Sequence, residues 1–201
     1  MSKPDTMPNR PPIPRRPSYG WSAWEATAGY MSVHHNPDVT LSVTVRVASE
    51  TMQANWSSQI KWGGRSVSCD QKMSLAKALG HLWLEVKNNY RIYKEGDELA
   101  IRQPINYKDS EWLDSRTDQL IHRIIHVNRS VFGTDWHMVI IYQPIDNPKM
   151  RVQARMIARN QEIQIGGQGA TLLDACRRLY TNAARIYPPK DISSGNFTQG
   201  D

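Results

Sequence analysis

The sequence predicts an α+β fold in which a β-β-β-α unit occurs twice. The two units are expected to be related by a pseudo-two-fold, with antiparallel sheets, helices packed on one side and a bridging helix between them. Three observations predict it. Sliding the 201-residue chain along itself by 97 positions places Leu75, Ala78, Leu82 and Tyr90 on Leu172, Ala175, Leu179 and Tyr187. At the same offset the turn residues Gly63-Gly64 fall on Asn160-Gln161, and Ile60 falls on Ile157. Strand-like alternation of period two precedes each apolar helical stripe, and self-similarity at a fixed spacing is the mark of a repeated unit. The copies run over roughly 38–93 and 135–190.

The organisation that follows has five parts: a disordered Pro/Arg-rich arm over 1–17, and a first unit with an aromatic N-terminal segment over 18–93; a connecting strand and bridging helix over 94–134; then a second unit over 135–190 and a flexible tail over 191–201. The arm holds six of the twelve prolines, five of them in the run PNRPPIPRRP. Proline fixes φ and removes a donor, so an extended, unpacked conformation is expected. Three uses fit such an arm: lying on nucleic acid, docking on a protein neighbour, or remaining a solvated tail. Behind it, Trp21 and Trp24 are spaced for one helical turn packing on the first unit. His34-His35-Asn36-Pro37 reads as a turn.

In the first unit Leu41, Val43, Val45 and Val47 alternate with Ser42, Thr44 and Arg46. Trp56, Ser58, Ile60 and Trp62 then alternate with Ser57, Gln59 and Lys61. Gly63-Gly64 supplies the positive φ of a tight hairpin, and Val67 and Cys69 continue an inward face. A helix follows, capped by Ser74 or Asp70. Its apolar stripe is Leu75, Leu79, Leu82, Val86 and Tyr90, with Trp83 beside it and Lys77, His81, Glu85 and Asn88 opposite. Between the copies, Glu98–Arg102 reads as a short strand and Ser110–Val131 as a long helix ended by Gly133. That helix has no counterpart in the other flank and is expected to bridge the units.

The second unit repeats the course. Val139–Tyr142 is a near-continuous apolar strand, and Val152, Ala154 and Met156 alternate with Arg151, Gln153 and Arg155. Asn160-Gln161 turns the chain, and Ile163 and Ile165 point inward. Gly166-Gly167-Gln168-Gly169 reads as a flexible lead into a helix capped by Thr171, with Leu172, Cys176, Leu179, Ala183 and Tyr187 as its stripe. Pro188-Pro189 ends it.

Net charge is +6, and half of that excess lies in the arm, where Lys3, Arg10, Arg15 and Arg16 face only Asp5. A basic balance favours polyanionic partners. The chain has a mean hydropathy of −0.59 and no apolar run of the roughly 18 residues that span a bilayer, so no membrane association is expected. With no leader segment and only Cys69 and Cys176, too few for a disulfide framework, a cytoplasmic protein is expected. Cys176 lies on the apolar side of its helix and reads as an inert buried thiol.

Catalytic chemistry finds little support. His122 and His126 stand at i, i+4 with Asp118 one turn earlier, a spacing that can place three metal ligands on one face. The glutamate of a zinc-protease motif is absent, and a solvated polar stripe explains the same residues. Gly166–Gly169 lacks the Gly-Lys-Ser/Thr ending of a phosphate loop. No enzyme, cofactor or metal is therefore expected. The outward sheet positions carry Thr44, Arg46, Gln59 and Lys61 in one copy, and Arg151, Gln153 and Arg155 in the other. Such a polar, mildly basic surface can contact phosphates, as can an ordinary solvated face. The candidate nucleic-acid-binding residues are accordingly Arg10, Arg15 and Arg16 in the arm, with Arg46, Lys61, Arg151 and Arg155 on the sheets. The leading expectation is a non-catalytic nucleic-acid-binding accessory protein, for single or double strands and with protein subunits of a larger complex as further partners. A structural or adaptor subunit docking through the arm is the alternative.

Gly169-Ala170-Thr171-Leu172-Leu173-Asp174-Ala175 resembles the loop-to-helix junction of HicB-like antitoxin domains, which share a β-β-β-α unit. The second half also resembles the C-terminal part of double-stranded-RNA-binding domains. That family places lysines where this chain has Leu172 and Leu173, which puts phosphate clamping by the helix start in doubt. Tandem PUR or whirly-type single-strand binders similarly repeat a sheet-plus-helix unit, with one strand more. These resemblances imply the fold of the unit and a nucleic-acid context, and no individual residue's role.

Overall fold

The computed structural model describes residues 19–48, 53–72, 74–97, 103–145 and 147–187. The arm with Arg10, Arg15 and Arg16, the Glu98–Arg102 strand, Pro188-Pro189 and the tail lie outside the described residues. The chain is α+β. Its elements run α1 (Gly20–His34), β1 (Thr40–Val47), β2 (Ala54–Trp62), β3 (Arg65–Lys72), α2 (Leu75–Asn89), α3 (Ser115–Phe132), β4 (Trp136–Tyr142), β5 (Val152–Ala158), β6 (Ile163–Gly169) and α4 (Leu172–Ile186), with short 3-10 turns between them. No helix among the described residues is long and apolar enough to cross a membrane.

The strands form one six-stranded antiparallel sheet, ordered β3-β2-β1-β4-β5-β6, where the alternation suggests separate sheets. Side-chain parity tells which face of a strand is buried but not which strands pair, and here β1 pairs with β4 through the middle. Val43 stands opposite Ile140, and Leu41 opposite Tyr142. The expected inward residues are the buried ones: Leu41, Val43, Val45 and Val47 on β1; Trp56, Ile60 and Trp62 on β2; Val152, Ala154 and Met156 on β5. On β4 the buried positions are Trp136, Met138, Ile140 and Tyr142, so the apolar run around Val139 and Ile141 conceals an alternation.

Helix packing explains the buried polar residue of β2. Ser58 lies on the inner face and donates to the Ala78 carbonyl of α2 at 2.8 Å, which satisfies a hydroxyl that burial would otherwise penalise. α2 is capped by Ser74, not Asp70; the Ser74 hydroxyl accepts from the Lys77 N–H at 3.2 Å. Thr171 caps α4 in the same way through the Asp174 N–H. Trp62 meets Tyr90 in a T-shaped contact, with ring centroids 5.0 Å apart.

Several expectations are corrected. The aromatic segment is not one helical turn but a 15-residue helix, α1, which buries Trp21, Trp24, Ala28 and Met31. The long helix begins at Ser115 under an Asp114 cap, not at Ser110, because Asp109–Glu111 forms a separate 3-10 turn. A helix precedes β1 as well as β4, α1 before the one and α3 before the other. Finally, Gly166–Gly169 is no flexible lead but the second half of β6, paired residue by residue with Val152–Arg155. Glycine is needed there because α4 sits almost on the strand. A Cβ on Gly167 would lie 2.3 Å from the Ala175 carbonyl oxygen and 2.3 Å from the Leu179 nitrogen.

Candidate nucleic-acid interface

Because each strand buries one side chain in two, the other half of the sheet's residues form a single outer face. The registers align its rows across the whole sheet. One row reads Ser68, Gln59, Ser42, Ile141, Gln153 and Gln168. The next reads Ser57, Thr44, Val139, Arg155 and Gly166, and the one after it Asn55, Arg46, His137, Ile157 and Gln164. Five interstrand spacings make each full row about 24 Å long. The face is therefore hydroxyl- and amide-rich, with a half-buried apolar patch at Val139, Ile141 and Ile157.

Three of the expected basic residues lie on it. Arg46 and Arg155 are exposed within β1 and β5, and Lys61 is exposed near the end of β2. Arg155 Nη2 donates to Gln153 Oε1 at 2.7 Å, which orients the guanidinium along its own strand. Arg46 stands opposite His137; burial pushes the His137 imidazolium pKa down, and the Arg46 charge adds to the effect. The pair thus favours a neutral imidazole beside a permanent cation.

Arg151 does not belong to this face. It precedes β5, is half-buried, and donates from Nε to the Ile145 carbonyl at 3.3 Å. Its charge acts on Glu25 and Tyr142, on the helix side of the sheet. Trp56 and Trp62 point inward as expected, and no described Trp, Tyr or Phe occupies an outer-row position. The stacking platform of single-strand binders is therefore missing, and the groups available are suited to phosphate and sugar contacts.

The remaining chemical candidates stay apart. His122 Nε2 and Asp118 Oδ1 are 3.6 Å apart on the rim of a cleft of about 550 Å³ that Trp56, Leu75, Trp112 and Ile125 also line. Both side chains are more than half exposed, and among the described residues no group of three His, Cys, Asp or Glu can hold a metal. Cys176 is fully buried, as expected, and burial pushes its thiol up to about 12.

One ionisable group escapes a reading of the sequence. Glu25 lies in α1 beside buried Trp21 and Trp24, and its only sequence signal is an isolated carboxylate in an otherwise uncharged helix. Burial pushes its carboxyl up to about 7, against the opposing effects of a 2.7 Å bond from Trp21 Nε1 and the Arg151 charge. From an ordinary value of 4.5, the unfolded chain ionises first as pH rises. The group therefore costs nothing below pH 4.5 and destabilises the fold increasingly up to pH 7, to a limit of about 3 kcal/mol. Glu25→Gln is expected to raise the urea midpoint at pH 8 and leave it nearly unchanged at pH 4. Equal shifts at both pH values would show that the carboxyl ionises normally.

Comparison with known proteins found no matching protein family, no significantly similar curated protein and no significantly similar solved structure, which leaves the surface itself as the ground for a functional reading.

Proposed function

We propose that this chain is a non-catalytic nucleic-acid-binding protein of the cytoplasm, an accessory to a larger assembly, which engages the phosphate backbone through its basic arm and the outer face of its sheet. The observation that carries this reading is the outer face: continuous over six strands, polar around a half-buried apolar patch, without a Trp, Tyr or Phe among the described residues, and marked by Arg46, Lys61 and Arg155. Hydroxyls, amides and guanidinium groups on a rigid sheet make backbone contacts without reading base sequence.

We further propose that the molecule arose by duplication of an α-β-β-β-α unit about a pseudo-two-fold between β1 and β4. Supporting it, Val43 pairs with Ile140, the residue 97 positions later. The buried positions Gly20, Trp24, Thr27 and Met31 of α1 correspond at that offset to Thr117, Ile121, Ile124 and Asn128 of α3. The caps Ser74 and Thr171 correspond as well. The duplication would double the width of the outer face from three strands to six.

The test compares full-length protein, a deletion of residues 1–17, and the triple variant Arg46→Gln/Lys61→Gln/Arg155→Gln across a salt series. For each phosphate that a variant no longer neutralises, the slope of log affinity against log salt is expected to fall by about 0.9 on duplex DNA and about 0.7 on single strands. Both variants should bind more weakly, and the deletion should leave the thermal midpoint unchanged. An arm deletion that releases a protein partner while leaving nucleic-acid affinity intact would favour the adaptor function instead.

A further inference from the structure

The largest concentration of unneutralised charge lies on the other side of the molecule. Among the described residues 19 are Lys or Arg and 13 are Asp or Glu. α3 and α4 together hold six arginines, Arg116, Arg123, Arg129, Arg177, Arg178 and Arg185, against Asp118 and Asp174. All six are exposed, and none forms an ion pair with another described residue. Both aspartates are engaged elsewhere, Asp118 with His122 and Asp174 with the Thr171 hydroxyl.

The two helices lie side by side and point the same way. Asp114 and Thr117, at the start of α3, share a cavity with Thr171 and Leu172 at the start of α4. At the other end Phe132 and Tyr187 meet in a T-shaped contact, centroids 5.1 Å apart. Arg116 and Arg123 are seven residues apart, as are Arg178 and Arg185, so each pair occupies one side of its helix two turns apart, about 10 Å. Arg129, thirteen residues after Arg116, lies about 140° around the helix from it and stands outside this pair. The sides of α3 and α4 that are buried, Ile121 and Ile124 on one and Ala175, Cys176 and Leu179 on the other, face the core, so the arginines look away from the sheet.

We infer that the arginine face of α3 and α4 is a second nucleic-acid backbone site, on the opposite side from the outer sheet face, and that one molecule bridges two nucleic-acid segments. The inference rests on the nucleic-acid reading above. A polyanion fits this face better than a protein does, because Gln119, Ser130 and Thr181 lie exposed on the same helices as the arginines and the exposed apolar side chains Val131 and Ile186 stand only in the last turn of each helix, where a protein interface would need an apolar centre. Guanidinium groups at intervals of about 10 Å match a duplex that offers a charge every 1.7 Å or so along its axis, so every arginine finds a phosphate in reach.

The test uses the full chain, the variant Arg116→Gln/Arg123→Gln/Arg178→Gln/Arg185→Gln, the same four changed to Lys, and the triple sheet-face variant. Two quantities are read: the salt slope on duplex DNA, and retention of a fluorescent duplex by beads that carry a different, immobilised duplex. The glutamine variant is expected to lower the slope by about 0.9 for each phosphate left unneutralised, up to four, while the lysine variant keeps its slope. Wild type should retain the second duplex, and either neutralised face should abolish retention while single-duplex binding persists. A glutamine variant with unchanged slope and retention overturns the second site, and wild type that binds but never retains a second duplex overturns the bridging. If wild type binds neither duplex nor single strands at low salt, the nucleic-acid reading itself falls, and this inference with it. Unchanged circular dichroism of the glutamine variant confirms that a reduced slope reports charge and not folding; a misfolded one is replaced by the two double variants, one per helix, whose slopes decide the same question.

Discussion

Gly167→Ala is expected to cost more than about 4 kcal/mol and to leave α4 unable to seat on the sheet. The added methyl would overlap the Ala175 carbonyl oxygen and the Leu179 nitrogen, each at 2.3 Å, and the Arg178 carbonyl carbon at 2.9 Å. These are backbone atoms in the middle of a helix, so no side-chain rotation relieves the overlap, and the strand or the helix must shift as a body. Ordinary overpacking costs about 1–3 kcal/mol and values above about 4 are exceptional; a methyl driven into a helix backbone belongs with the exceptional ones. The neighbour supplies the control. Gly166 points to the outer face, where a Cβ would meet nothing nearer than 3.8 Å, and Gly166→Ala should stay within about 1 kcal/mol. Denaturant midpoints for the two alanine variants decide it: equal values would mean that α4 is not held this close to β6.

Trp24→Ala is expected to cost about 3–5 kcal/mol, the range for truncating a buried tryptophan. Trp24 is fully buried, meets Trp83 in a T-shaped contact with centroids 5.7 Å apart, and donates from Nε1 to the Leu79 carbonyl of α2 at 3.3 Å. It is thus the residue through which α1 grips α2, and its loss removes apolar area, an aromatic contact and a hydrogen bond together. A fall in midpoint at unchanged m-value would show loss of stability alone. A cost below about 1 kcal/mol would mean that α1 is dispensable to the core.

The sequence is most legible where one physical signal dominates. In β1, and in β5 as far as Met156, apolar and polar residues alternate without a break, which places Arg46 and Arg155 on the outer face without help from the rest of the molecule. Lys61 follows from the same rule. Arg151 obeys the rule by sequence and escapes it in space, because it stands one residue before β5, where the 143–151 connection holds its guanidinium against the Ile145 carbonyl. β6 is hidden by its glycines, which have low strand propensity and whose purpose appears only once α4 is in place. α1 is hidden for a different reason. Trp21, Ala23, Trp24, Thr27, Ala28 and Met31 are buried on one side, but the opposite side carries Gly29, Ala26 and the exposed Val33 with Glu25 as its one carboxylate, so no polar stripe sets off the apolar one. The start of α3 is ambiguous in the sequence because Ser110 and Asp114 are both good caps, and only the Asp114 carboxylate accepts from the Arg116 and Thr117 N–H groups. The pairing of β1 with β4 has no local signal at all.

That central pairing decides how the chain can be shortened. The sheet's natural margins are defended: on β6 the Gly166 carbonyl accepts from the Asn182 side chain at 2.8 Å, and β3 begins at Arg65 and ends at Lys72, both charged. The seam has no such protection. A fragment ending near Tyr93 would expose the whole length of β1, and one beginning near Ser115 would expose β4. Each would offer a row of unpaired amides beside Val43 or Ile140, with nothing to stop a neighbouring chain from docking there. Such edges template intermolecular strand addition. Either half expressed alone is therefore expected to self-associate, because each half is the edge-cap of the other.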